Sequence, residues 1–392
     1  MNSKITFIHS VSLLVLRGVE RWLIEVTKRL SMEACKVSLI TFQTDLEKYP
    51  MMNLMDRLTQ IKSQLRNVNW KEVKALYHTH ASQHTIAKLL KKFGIVIPLS
   101  IFQIFKIIRG SRSIYIAVGD AYQALVLTLI VMLFGGRKIV LGLHASRSYR
   151  RFKRLSMLFR LLSRMGIIKG IHCISYFDYI SLNHILKGVP IFHIPNGVDC
   201  EKFSPDKGVK RYDIFNVLFV GALSEDKGID IFLKIAEILK TKHPSLNIRF
   251  VIVSVGGPWA NKVREMASKG YVDYLGFVND SKLAKLYAEA HIAVFPSRVE
   301  AFSFVALEAQ ASGTPVICSN APGFKNSVID GITGIVVKDY NPHSFIEAIL
   351  KLYKIWMEGG NRYQEIVKHA RERAKFFCWD KILKSLRHIL LN

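Results

Sequence analysis

The chain has 392 residues, 50% of them hydrophobic and 22% charged, which is enough to bury the cores of two or three domains. No low-complexity tract or short internal repeat interrupts it, which excludes a disordered or repeat-built chain. The formal net charge of +26 is unevenly placed, with 29 Lys and Arg against 9 Asp and Glu in residues 1–190 and 27 against 21 in the remainder, so the first half suits an anionic partner.

From the N-terminus, Lys4–His9 (KITFIH) reads as a strand with no apolar leader before it, so no signal peptide is expected and the protein is expected in the cytosol. A helix over Gly18–Leu30, strands at Lys36–Thr41, Ser113–Val118, Lys138–Leu143 and Ile171–Ile174, and a helix near Ala81–Lys92 then alternate. Such alternation predicts a mostly parallel sheet covered by helices, an α/β class. Residues 44–72 carry little periodicity and read as a mobile excursion. Ile95–Ile108 and Ala124–Phe134 are strongly apolar. Both fall short of the roughly 20 residues that a spanning helix needs and read as core helices, with a helix dipping into the membrane interface as the alternative for Ile95–Ile108. His144 closes the strand Lys138–Leu143, where an open α/β sheet places its ligands.

Arg147–Lys169 carries eight basic residues and no acidic one, with Phe152, Leu155, Leu158, Phe159 and Leu162 at helical spacing. A solvated face over a core stripe fits this pattern. So does contact with anionic lipid, which attracts each Lys or Arg by about 1 kcal/mol near the surface. Nucleic acid is not expected, because no helix-turn-helix, zinc finger or aromatic RNA-binding motif accompanies the charge. His80 and His84 stand i, i+4, but nothing nearby completes a ligand set, and no metal is expected. Cys35, Cys173, Cys200, Cys318 and Cys378 show no C-x-x-C spacing and read as core fillers, with neither a disulfide framework nor a zinc site.

A turn at Ile194–Asp199 (IPNGVD), followed by a polar stretch, marks a domain boundary near 195–212. The strand Asn216–Val220 runs into Gly221, where the backbone can approach a ligand, and Lys227 with Gly228 opens the next helix, where an ammonium can meet a diphosphate. The densest stretch is Phe295–Ile317 (FPSRVEAFSFVALEAQASGTPVI). It reads as a strand His291–Phe295, a polar turn, a helix Ser303–Ala311 stopped by Gly313 and Pro315, and a strand Val316–Cys318. Glu300 lies before the helix and Glu308 more than one turn inside, so the two carboxylates contact different parts of one ligand. The N–H groups of Phe302 and Ser303 sit at a helix N-terminus that favours a phosphate. A phosphate flanked by hydroxyl groups describes a nucleotide sugar. Gly334–Val337 continues the alternation, and Pro342–Met357, Tyr363–Lys375 and Cys378–Leu391 read as helices.

The E-x7-E pair with its neighbours resembles the donor-site signature of retaining glycosyltransferases of the GT-B fold, family 4 or glycosyl transferases group 1, with Ala301 and Ser303 in place of two glycines. Asn216–Asp230 is similar to that family's G-R-L-x-x-x-K-G stretch, with Ala222 where a phosphate-binding arginine is usual. Leu16–Glu20 stands at its first glycine loop, with Gly18 kept and Arg17 in place of a glycine. Val255–Pro258, Leu275–Val278 and Pro322–Gly331 resemble further family segments, the last with Asn326 in place of Glu.

The resemblance implies two Rossmann-like domains facing a cleft: residues 1–197 for the acceptor, 198–375 for the nucleotide sugar, and a C-terminal helix, 376–392, packing back on the first. It also implies a UDP, GDP or ADP sugar donor and metal-independent transfer without a cofactor. His144 and Glu300 would be the catalytic residues, Glu300 on the sugar and His144 contacting it and stabilising the developing charge. Lys227, Gly221, Phe302, Ser303, Gly18 and Arg17 would meet the diphosphate region, with Arg17 offsetting Ala222, and Glu308 would bind the ribose. The acceptor is expected to be a glycan or a polyprenyl- or lipid-linked sugar at an anionic membrane surface, in cell-envelope polysaccharide or glycolipid synthesis. A non-catalytic subunit supporting a partner transferase, or a sugar-nucleotide epimerase, are the alternatives.

Overall fold

The computed structural model describes residues 3–9, 18–33, 35–42, 59, 61–73, 101–133, 135, 138–144, 149–210, 212–359 and 361–391. The chain divides into two compact units, Met1–Pro195 with Ile382–Asn392, and Asn196–Lys381.

Among the described residues the first unit holds seven strands: β1 (Lys4–His9), β2 (Lys36–Phe42), β3 (Val68–Val73), β4 (Ser113–Val118), β5 (Ile139–Leu143), β6 (Ile168–Cys173) and β7 (Ile191–His193). They pair in the order β3-β2-β1-β4-β5-β6-β7, every pair parallel. The second unit has six: β8 (Phe215–Val220), β9 (Ile248–Val253), β10 (Asp273–Tyr274), β11 (Ile292–Phe295), β12 (Val316–Ser319) and β13 (Gly334–Val337). Their order is β10-β9-β8-β11-β12-β13, again parallel. Both units are thus doubly wound, and the direction of winding reverses between β1 and β4 and between β8 and β11. Ligands of such sheets bind outside the strand ends at these reversals.

Burial on both faces explains the strand sequences. All of SIYIAV in β4 and IVLGL in β5 is buried, and continuous apolar runs of that kind suit a parallel sheet covered on both sides. The helix Gly18–Met32 covers its sheet with Trp22, Leu23, Val26 and Leu30, recurring at helical spacing. The helix Ala121–Leu133 buries Ala121, Ala124, Leu127 and Val131 as expected of a core helix, although Leu133 on its other side is 76% exposed.

Three expectations are corrected. β3 overlaps the end of the stretch read as a mobile excursion: six backbone pairings with β2, and the Trp70 indole donating to Thr41 Oγ1 at 2.9 Å, form an edge strand that a weak apolar pattern did not announce. The basic stretch Arg147–Lys169 is not one helix. It forms Tyr149–Arg154 and Ser156–Arg164, then turns at Gly166 with φ +70° and enters β6, which contains Lys169. Finally, Cys200 and Cys378 are disulfide-bonded, with Cα atoms 5.7 Å apart and 178 residues of sequence between them. A short parallel bridge brings them together, Val198 donating to Phe377 and Trp379 donating to Val198, and no sequence spacing reveals such a meeting. Cys173 and Cys318 are free and buried, as core fillers are. The helix expected near Ala81–Lys92, and His80 and His84, lie outside the described residues.

Candidate functional site

In the second unit the turns after β8 and β11 meet at the winding reversal. Glu225–Lys227 forms a single tight turn, and Gly228, with φ +73°, caps the helix Ile229–Lys242. A Cβ on Gly228 would stand 2.1 Å from the Pro296 carbonyl oxygen, so glycine is required both for the backbone angle and for the approach of the two turns. Arg298 fastens them. Its guanidinium forks onto both carboxylate oxygens of Asp230, at 2.8 and 2.7 Å, and onto the Glu225 carbonyl at 2.7 Å, while the N–H groups of Arg298 and Val299 donate to the Asp226 carbonyl. The result is that Lys227, from the first turn, donates to Glu300, from the second, at 2.7 Å across 73 residues of sequence. The backbone behind Glu300 is braced by Gly323, whose N–H donates to the Glu300 carbonyl at 3.0 Å and whose absent Cβ would collide with it.

The helix beginning beside Glu300 spans Phe304–Ala311 and is capped by Ser303, whose hydroxyl accepts from the Ala306 N–H at 3.3 Å. Among the described residues the N–H groups of Phe302 and Ser303 take no protein acceptor. The Phe302 ring is buried against Phe377 and fixes the entry to the helix. Glu308 is 2% exposed and accepts from the Tyr287 hydroxyl at 3.1 Å, a partner on the helix Asp280–Glu289 that sequence reading did not single out. The second unit therefore brings Lys227, Glu300, Phe302 and Ser303 to one strand-end region. Gly221 lies there too, but its N–H is spent on the Val253 carbonyl and a Cβ would make only ordinary contact with Phe219, so no protein neighbour demands glycine. The Val255–Pro258 turn packs on the same region, with Gly257 against the Leu223 backbone, and Ser254 donates to Gly276 of the Leu275–Val278 segment. Ala222, where the resemblance expects an arginine, is exposed.

In the first unit the strand ends carry a buried polar cluster. His144 follows β5 and is 7% exposed. Its Nε2 lies 3.0 Å from the Tyr115 hydroxyl, which lies 2.6 Å from His172 Nδ1, and His172 Nε2–H donates to the Ile194 carbonyl at 2.7 Å. Burial, reinforced by His172 and His9 nearby, holds the His144 pKa well below the ordinary histidine range, and burial takes His172 down to about 4. Trp22 stands edge-on to His144 at 4.6 Å between ring centres and stacks on Tyr115. At the winding reversal of this sheet, His9 Nε2 meets Glu20 Oε1 at 3.1 Å, both side chains buried. Sequence reading missed His9, Tyr115 and His172, and their one signal was a polar residue inside or closing a buried strand. Gly18 opens the helix that carries Glu20, and Arg17 lies outside the described residues. No group of three or more His, Cys, Asp or Glu among the described residues is placed to hold a metal ion.

Residues 202–373, nearly all of the second unit, match the family described as Glycosyl transferases group 1. A D-inositol 3-phosphate glycosyltransferase of Paenarthrobacter aurescens is 32% identical over 200 residues, 48% of this chain and 48% of its own length. Another, from Catenulispora acidiphila, is 33% identical over 200 residues, covering 47% and 46%. The chain thus spans about half the length of the curated relatives it matches. Solved structures match over nearly the whole chain: a glycosyltransferase of Rickettsia africae, with TM-score 0.73, 19% identity and 99% of each chain covered, and Anabaena HepE in complex with UDP and glucose, with TM-score 0.69, 16% identity and 99% of each covered. The two parallel-sheet α/β domains are those of the GT-B fold.

Proposed function

We propose that the chain is a glycosyltransferase that moves a sugar from a nucleotide-sugar donor to a glycan or lipid-linked acceptor, with retention of configuration and without a metal. The observation that carries this reading is the meeting of Lys227 and Glu300 at the winding reversal of the second sheet, beside the Ser303-capped helix N-terminus. An ammonium and two unspent N–H groups provide for a diphosphate, and a carboxylate beside them provides for sugar hydroxyls. Glu308, deeper on the same helix, supplies a carboxylate for the ribose. The likeness to curated inositol-phosphate glycosyltransferases and to a structure holding UDP and glucose supports this class of donor.

With no carboxylate assigned as an enzymic nucleophile, retention follows from same-face attack, in which the leaving diphosphate takes the acceptor's proton. Stabilisation of that leaving group by Lys227 and the Phe302 and Ser303 amides is the main catalytic contribution. Calorimetric titration with UDP, GDP and ADP sugars, wild type beside Glu308→Ala, tests the reading. Saturable binding of one nucleotide sugar, lost in the variant, is expected. Binding of none would move the assignment to a non-catalytic subunit, and conversion of the donor without an acceptor would move it to an epimerase.

The acceptor is proposed to lie at an anionic membrane surface on the cytoplasmic side. Among the described residues no helix is long and apolar enough to cross a membrane. The helix Ser156–Arg164 buries Phe159 and Leu162 but turns Met157 (82% exposed) and Leu161 (54%) outward, with Met165 (61%) following it. An apolar ridge among Arg and Lys side chains is the pattern of a surface that rests on lipid headgroups.

A further inference from the structure

The polar cluster of the first unit has a direction, and that direction fixes where one proton sits. The Ile194 carbonyl can only accept, so His172 must carry a proton on Nε2 to donate to it at 2.7 Å. His172 is fully buried, and burial keeps it neutral with a pKa of about 4, so its Nδ1 is a bare lone pair. The Tyr115 hydroxyl, 2.6 Å from that lone pair, must then donate to it. With its only proton spent there, the Tyr115 oxygen can only accept from His144 Nε2, at 3.0 Å.

Three side chains from three adjacent strands form this chain, and the fold has made room for it. Gly142 stands between β4 and β6, and a Cβ there would fall 1.8 Å from the Tyr115 hydroxyl. Any other residue at 142 would displace that hydroxyl. Among the described residues the Trp22 ring stands 4.6 Å from the His144 ring, His9, paired with Glu20, lies further off, and no carboxylate is hydrogen-bonded to His144.

We infer that Tyr115 and His172 are positioning residues that hold His144 neutral with its proton on Nε2, so that Nδ1 presents a lone pair to accept a hydrogen bond from a sugar hydroxyl. The part that concerns the sugar rests on the function proposed above, and the part that concerns the tautomer does not. His144 therefore orients a sugar by accepting, and neither delivers a proton nor carries charge to the reaction. The buried relay fixes this before any ligand arrives, because reversing one bond would leave His172 facing a carbonyl with a lone pair, or two hydroxyl-directed N–H groups facing each other across Tyr115.

The test is nitrogen-15 NMR of histidine-labelled protein at neutral pH, with the His144 signals assigned by their loss in His144→Gln. A pyrrole-type Nε2 and a pyridine-type Nδ1 are expected in the wild type. An Nδ1–H tautomer, or an imidazolium, in the wild type would overturn the inference whatever the enzyme's activity. In Tyr115→Phe the Nε2–H preference is expected to be lost, with kcat for transfer reduced about tenfold or more and nucleotide affinity by calorimetry held within about twofold, since the diphosphate and ribose are bound elsewhere. An unchanged tautomer in that variant would also overturn it. If no nucleotide sugar binds the wild type while the tautomer stands as described, the proposed function fails and the relay does not.

Discussion

Glu300 and Lys227 hold one another at 2.7 Å, yet the lysine is 34% exposed, so the pair adds only about 0–1 kcal/mol to stability. In the function proposed above, its value lies in placing an ammonium where a diphosphate can take it over. Lys210 is the opposite case. It is half-buried, its ammonium donates to the Ala288 and Ala290 carbonyls and to Thr314 Oγ1, and burial of that group lowers its pKa from 10.5 to about 7. Between those two values the unfolded chain binds a proton that the folded chain does not, so this lysine makes stability rise with pH from about 7 to 10.5, with no contribution to the slope below about 7 or above 10.5. Urea unfolding across that interval is expected to show the rise in the wild type and a flatter profile in Lys210→Met. The variant is also expected to lose about 1–3 kcal/mol, because three buried acceptors are left with one donor fewer. Equal slopes in the two proteins would show that Lys210 stays charged when folded.

At the scale of elements, the Ser156–Arg164 helix shows how one short segment serves two surfaces. Phe159 and Leu162 close the core over the first sheet, and Met157 and Leu161, one step around the helix, face away from it. Full burial of such side chains is worth about 1.5–3 kcal/mol each, and with neighbouring cations this is the contribution that the proposed contact with an anionic bilayer draws on. Sedimentation with vesicles containing phosphatidylglycerol is therefore expected to carry the wild type down, and Met157→Glu with Leu161→Glu to leave it in solution with its thermal midpoint unchanged. Recovery of the wild type from the supernatant at low salt would remove the membrane reading without touching the donor site. The turns after β8 and β11 show the same economy. Gly228 permits their approach, Arg298 fixes it, and the Lys227 and Glu300 side chains follow from that backbone contact.

For the whole molecule, the Cys200–Cys378 bond ties the start of the second unit to its end, and closing so long a loop stabilises a fold by about 4–5 kcal/mol in the chain-entropy account. Such bonds are rare in reducing compartments, so a thiol count is the direct check on this one. Thiol titration of the denatured protein is expected to give three reactive groups without reductant, Cys35, Cys173 and Cys318, and five after reduction. Five without reductant, in protein purified with no reducing agent, would show that the two sulfurs approach without bonding. The charge asymmetry belongs to this scale as well, because only an extended surface of one sign can act beyond a screening length of about 8 Å.

The sequence by itself determined the fold class, most strands of both sheets, and the Glu300, Ser303 and Lys227 stations, because apolar periodicity, capping residues and glycine turns act within a few residues of one another. It also carried the glycine-lysine turn after β8 and the place of His144 at a strand end. Only the tertiary structure decided what those residues touch. Lys227 reaches Glu300 across 73 residues, Tyr115 joins His144 and His172 across 29 and 57, and the two bonded cysteines are 178 apart. Strand order sets those meetings, and strand order depends on how the whole sheet buries its two faces, which no local stretch of sequence contains.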